Sequence, residues 1–150
     1  MKGVLTLLAF LLLAVGGFFA ARHWQAAGPA YERIAPAQPC DLRAGPCSQP
    51  VAGGRVSFEI SPNDIPLMQT LTLRLRADGL APGNVEVDIR GLNMEMGLNR
   101  TRLDPVGEGH WEAETILPIC SQRRMEWEAA VRLGPDPAVE IPFPFFTVRP

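Results

Sequence analysis

From Gly54 onward the chain alternates apolar and polar positions in short runs, the period of half-buried β-strands. Val56, Phe58 and Ile60 share one face of the first run, which ends at Ser61-Pro62-Asn63-Asp64. Leu71, Leu73, Leu75 and Ala77 share a face of the second, with Thr70, Thr72, Arg74 and Arg76 on the other. Val85, Val87 and Ile89 follow, and later Trp111, Ala113 and Thr115 alternate against Glu112 and Glu114. Met125, Trp127, Ala129, Val131 and Leu133 make the clearest strand in the chain. In the last run, residues 138–148, Pro142 and Pro144 lack the N–H that an interior strand needs, so this run belongs at an edge. Seven or eight short strands, with turns roughly every 8–12 residues, predict an all-β fold. The expected architecture is an immunoglobulin-like β-sandwich of about seven strands.

Two stretches lack that period. Residues 3–21 carry no charge and are dominated by Leu, Ala, Val and Phe. As a helix they span about 28 Å, close to the hydrocarbon thickness of a bilayer. Residues 1–22 are therefore expected to form one transmembrane helix, with Lys2 on the cytoplasmic side. A cleaved signal peptide is the alternative. Ala14-Val15-Gly16 would be cut inside the apolar run, and a cut after Ala21 puts Phe19 where a small residue is needed. Either way the folded domain lies outside the cytoplasm, and His23 sits at the membrane interface. Residues 28–54 are rich in Pro, Gly, Ala and Gln. Residues 23–54 thus read as a linker and irregular arm, and 55–150 as the sandwich domain.

Charge narrows the partners. Lys2 is the single lysine, so the 14 basic residues include thirteen arginines, against 16 acids. They are interspersed with no basic run, which excludes a nucleic-acid face. No serine–histidine–acid set and no Cys-x-x-Cys motif is present, so no enzyme is expected.

The candidate chemistry is sulfur. In an extended chain Met94 and Met96 share a face and Glu95 takes the other, so two flexible thioethers can converge on one soft ion. Thioether suits Cu(I) and not hard ions. The competing reading is core filler, since Met fills irregular gaps and Leu92 and Leu98 continue the alternation. At Gly91 the apolar set moves from odd to even positions, which predicts a bulge or a change of strand partner. Met68 reads as packing.

Three cysteines outside the cytoplasm cannot all pair within one chain. A Cys40–Cys47 disulfide would leave Cys120 free; a bond from Cys120 to either arm cysteine would pin the arm to the sandwich. In a third arrangement Cys40 and Cys47 stay reduced and join Met94, Met96 or Cys120 as ligands, and redox cycling gates release. Cys120 and Met125 flank Arg123-Arg124, and arginine beside a thiol favours the thiolate. His110, beside Trp111, is either an imidazole ligand or a half-exposed structural histidine.

The motifs Met94-Glu95-Met96-Gly97, Gly107-Glu108-Gly109-His110-Trp111, Leu117-Pro118 and Met125-Glu126-Trp127 follow an N-terminal apolar segment in this order. That layout resembles the FixH/YtkA-like group of membrane-anchored periplasmic β-sandwich proteins, over residues 56–133. The resemblance implies copper handling or cytochrome-oxidase assembly at the bacterial inner membrane. It also implies a Sco-type copper chaperone or a respiratory oxidase subunit as partner. The Cys40–Cys47 arm and Cys120 depart from the group's pattern. The expectation is a single-pass periplasmic Cu(I) metallochaperone, with Met94, Met96, Cys120, Met125, Cys40, Cys47 and His110 as ligand candidates. The rival expectation is a metal-free sandwich that docks on a membrane complex, with a structural disulfide.

Overall fold

The computed structural model describes residues 2–26, 31–135 and 138–149. The chain forms two units, Met1–Ala30 and Tyr31–Pro150. In the first, α1 (Lys2–Ala26) is one continuous α-helix. Its described side chains at residues 10–21 are apolar and exposed. Among the described residues no helix is long and apolar enough to cross a membrane.

The second unit is a sandwich of two five-stranded sheets. One has the order β1 (Glu32–Arg33), β10 (Val139–Val148), β9 (Arg124–Gly134), β5 (Asn84–Gly91) and β6 (Arg100–Arg102). The other has the order β2 (Cys47–Val51), β3 (Gly54–Ser61), β4 (Thr70–Asp78), β8 (His110–Ile116) and β7 (Asp104–Gly107). Neighbours run antiparallel, except β1 against β10. The inward rows are those the alternation predicts: Val56, Phe58 and Ile60 on β3; Leu71, Leu73, Leu75 and Ala77 on β4; Met125 to Leu133 on β9. Phe58 and Phe143 meet across the sheets with ring centroids 5.4 Å apart. The indole N–H of Trp127 donates to the Thr147 hydroxyl at 2.9 Å, so its polar group is satisfied in the core. Between β6 and β7 the chain passes from one sheet to the other through Leu103, which is buried.

Pro142 and Pro144 lie where the sequence required. β1 covers β10 only at Val139 and Glu140, so both prolines face the uncovered edge beyond it. The arm differs from expectation, because residues 23–54 contribute β1 and β2. Cys47, Gln49 and Val51 point inward, and the polar Gln49 hid the period. Its side chain accepts from Ala37 N at 2.9 Å and donates to Gln38 O at 3.1 Å. Gly91 also differs: it is the last residue of β5, and residues 92–99 form an irregular connection without a bulge.

Charges cover the outer face of the first sheet. Arg33 bonds Glu140 at 2.5 Å and Glu128 at 2.6 Å, and Arg90 reaches both carboxylates at 2.7 Å. Arg132 joins Glu140 at 2.8 Å to Asp88 at 3.2 Å, and Arg100 approaches Asp88 at 3.5 Å. Acids and arginines therefore alternate across all five strands. Burial pushes the Glu140 carboxyl up, but hydrogen bonds from Arg132, Arg90 and Arg33 outweigh it and bring the pKa from 4.5 to about 2. A carboxylate held low stabilises the fold above its ordinary pKa and loses that contribution as pH falls through the folded value. Glu140→Gln should lower stability at neutral pH by roughly 1–3 kcal/mol. In urea unfolding at stepped pH, the wild-type advantage should shrink between pH 4.5 and about 2; an advantage unchanged at pH 2 would contradict the assignment.

Candidate functional site

Three connections meet at one end of the sandwich. Met68 N, in the β3–β4 connection, donates to Leu117 O at 2.9 Å in the β8–β9 connection. Asn99 Nδ2, ending the β5–β6 connection, donates to Ile116 O at 3.5 Å. The β5–β6 connection is held against β9 like a continued strand. Leu92 N donates to Glu126 O at 2.8 Å, Asn93 Nδ2 donates to Arg124 O at 3.1 Å, and Asn93 Oδ1 accepts from Glu126 N at 3.1 Å. The chain then folds back over Gly91. A Cβ on Gly91 would lie 2.2 Å from the Met94 carbonyl oxygen, 2.3 Å from Met125 Cε and 3.2 Å from Met96 Cγ. The turn closes at Gly97, with φ +72°, whose N–H donates to Glu95 Oε1 at 3.2 Å.

Gly91 is thus approached by the side chains of Met96 and Met125 and by the backbone of Met94. Met125 is buried as the last inward residue of β9, while Met94 and Met96 are half-buried and pack on the core. Cys120 is a buried free thiol in the β8–β9 connection, 3.8 Å from Gln122 O. Its neighbour Ser121 donates its hydroxyl to Met94 Sδ at 3.7 Å, which joins the Cys120 loop to the methionine loop. Met94 and Met96 do not lie on a regular strand, yet both turn toward the core and Glu95 turns out. Leu92 and Leu98, expected to continue the alternation inward, are exposed.

The other candidates lie elsewhere. Cys40 and Cys47 form a disulfide with α-carbons 5.8 Å apart. Bonded to each other, they supply no thiolate, and neither is joined to Cys120. Their loop is pinned by buried Leu42 and by Arg43, whose guanidinium sits 4.5 Å from the Phe146 ring centroid. Arg124 lies over the same ring at 3.7 Å and bonds Glu126 at 2.6 Å. His110 begins β8 at the opposite end, six residues from Ile116 or about 20 Å along the strand. Its Nδ1 donates to Glu108 O at 2.7 Å, and it lines a hollow of about 620 Å³ with Arg76, Asp78 and Trp111. The His23 side chain lies outside the described residues.

Sequence reasoning passed over Asn93 and Ser121 and misjudged Met68, which is exposed. It also missed an apolar rim. Met68, Leu92, Leu98, Ile116, Ile119 and Val148 are each more than half exposed, and all sit at or beside the sulfur end. Isolated exposed apolar residues are ordinary; these six share one end of the domain.

Among the described residues no group of three or more His, Cys, Asp or Glu side chains is placed to hold a metal ion. The arrangement is instead thioethers with one nearby thiol, a soft donor set. Compared with family models, with curated proteins and with solved structures, the chain finds no match. The structure by itself defines the class: an all-β sandwich protein carrying one disulfide.

Gly91→Ala should destabilise the domain by about 1–3 kcal/mol, because the methyl overpacks against backbone as well as side chains. Alanine in an open strand would be neutral or stabilising, so a gain in urea midpoint would refute the close approach. Replacing Cys40 and Cys47 by serine should lower stability by roughly 2–3 kcal/mol in the same measurement, the chain-entropy contribution of a short loop.

Proposed function

We propose that this is a single-pass protein of the bacterial inner membrane whose periplasmic domain, an immunoglobulin-like sandwich, binds Cu(I) and delivers it during respiratory oxidase assembly or copper homeostasis. The observation that carries the proposal is that the Met96 and Met125 side chains meet at Gly91 beside the Met94 backbone, while the Met94 sulfur faces Ser121, next to the free thiol Cys120. Thioethers carry no proton, bind soft ions and reject hard ones, so this donor set selects Cu(I). Half-burial of Met94 and Met96 leaves them reachable, and buried Met125 supplies a donor from the core side. The disulfide serves stability, and His110 takes no part.

The anchor rests on the sequence alone, in which residues 3–21 are uncharged and apolar and Lys2 precedes them. A Sco-type chaperone or an oxidase subunit as partner rests on the resemblance of the short motifs. The apolar rim favours a second reading, a metal-free module that docks on a membrane complex through the same end.

Titration of the full-length protein in detergent with its Cys40–Cys47 disulfide intact, using Cu(I) against a chromophoric chelator, separates the readings. The Met94→Leu/Met96→Leu double variant should bind at least about tenfold more weakly, a difference of about 1.4 kcal/mol or more, with an unchanged urea midpoint. Equal binding by both proteins would move the ion off Met94 and Met96. No binding by either would leave the docking module.

A further inference from the structure

We infer that Ser121 is a latch on the sulfur site, holding Met94 in the empty state and weakening the grip on an incoming ion. The inference rests on the Cu(I) reading above. The Ser121 hydroxyl donates to Met94 Sδ at 3.7 Å. A thioether sulfur accepts a hydrogen bond through the lone pairs that it would offer a metal, so donor and ion compete. The competition matters because Met94 does not need Ser121 for its position. Its backbone is already fixed by the fold-back over Gly91 and by the two hydrogen bonds of Asn93 with β9. What Ser121 adds is engagement of the sulfur itself.

Ser121 also lies directly after Cys120, the thiol nearest in sequence to this contact. Release of the latch therefore frees the Met94 sulfur beside Cys120. Re-formation of the hydrogen bond compensates Met94 when the ion leaves. A site that must give up its cargo gains from a stabilised empty state, because exchange is then closer to balanced.

The test compares full-length wild type, Ser121→Ala and Ser121→Thr in detergent, with Cu(I) as the probe and a chelator to time its release. Ser121→Ala should bind Cu(I) about 2–10-fold more tightly, the range set by one net hydrogen bond, and release it more slowly. Ser121→Thr, which keeps the hydroxyl, should match wild type. A merely structural serine would weaken binding on removal, not tighten it. In copper-free protein the Met94 methyl resonance should shift in Ser121→Ala and stay in place in Ser121→Thr. Affinity in Ser121→Ala equal to or below wild type, with wild type binding Cu(I), overturns the latch alone. An unmoved Met94 resonance overturns the contact whatever the copper result. Absence of Cu(I) binding by wild type overturns the copper reading and the latch with it.

Discussion

Each sheet of this sandwich has an apolar face that only the other sheet can cover, and the burial of these two faces against each other fixes the rest. Phe58 meets Phe143 across the two sheets, and Trp127 stacks at 6.4 Å on Phe145, its cross-strand neighbour in the first sheet. Aromatic side chains of this kind bury about 150–250 Å² each, worth roughly 4–6 kcal/mol apiece at 25 cal/mol per Å². Strand parity is thereby locked, because a slip by one residue would turn each row out to water. The first sheet carries a second constraint. Asp88, Glu128 and Glu140 on its outer face are buried too, and they can be so only because arginines from four different strands reach them.

The sulfur end is where that core runs out. β9 contributes a continuous inward row from Leu133 to Met125, and the next residue, Arg124, is exposed. Met94 and Met96 lie over the opening from the β5–β6 connection. The filler and ligand readings therefore concern the same atoms. Thioethers at the mouth of a dry core fill space in the empty protein, and they are the side chains an ion would meet with least competition from water. A low-dielectric wall behind them also disfavours hard, strongly hydrated cations, which lose more on desolvation.

Most of the sandwich was legible because its strands are half-buried and period two leaves a direct trace. Legibility failed where a polar group replaced an apolar one at an inward position. Gln49 hid β2 in this way, although its hydrogen bonds to residues 37 and 38 make it a sound core residue. It failed again at residues 92–98, where the same alternation belongs to a loop. Gly91 marked the place correctly, but the reason is a close approach of the chain to itself, which no periodicity encodes. The pairing of Cys40 with Cys47 was one of several open arrangements, since sequence spacing does not say which α-carbons come within bonding range. The rim was invisible for a related reason: Leu92, Leu98 and Ile119 are ordinary apolar residues until three loops bring them to one end.

The two ends of the domain are unlike in every respect that bears on function. The chain enters this unit at Tyr31, whose ring receives the Arg132 guanidinium at 5.5 Å. That is the end of β9 and β10 marked by Gly134 and Val139. The ten residues of β10 then run about 30 Å to the sulfur end. At the first end lie the β7–β8 hairpin, His110 and a hollow lined by Arg76, Asp78 and Glu108. At the second lie three methionines, the free thiol and the apolar rim. Soft donors and apolar surface at one place have a joint consequence. An ion held by thioethers is exchanged by contact with another sulfur donor, and apolar surface around the donors lets that contact form while water is expelled. Had the rim been at the His110 end, docking and binding would be separate problems. Placed around Met94, it would make them one under the proposed Cu(I) reading.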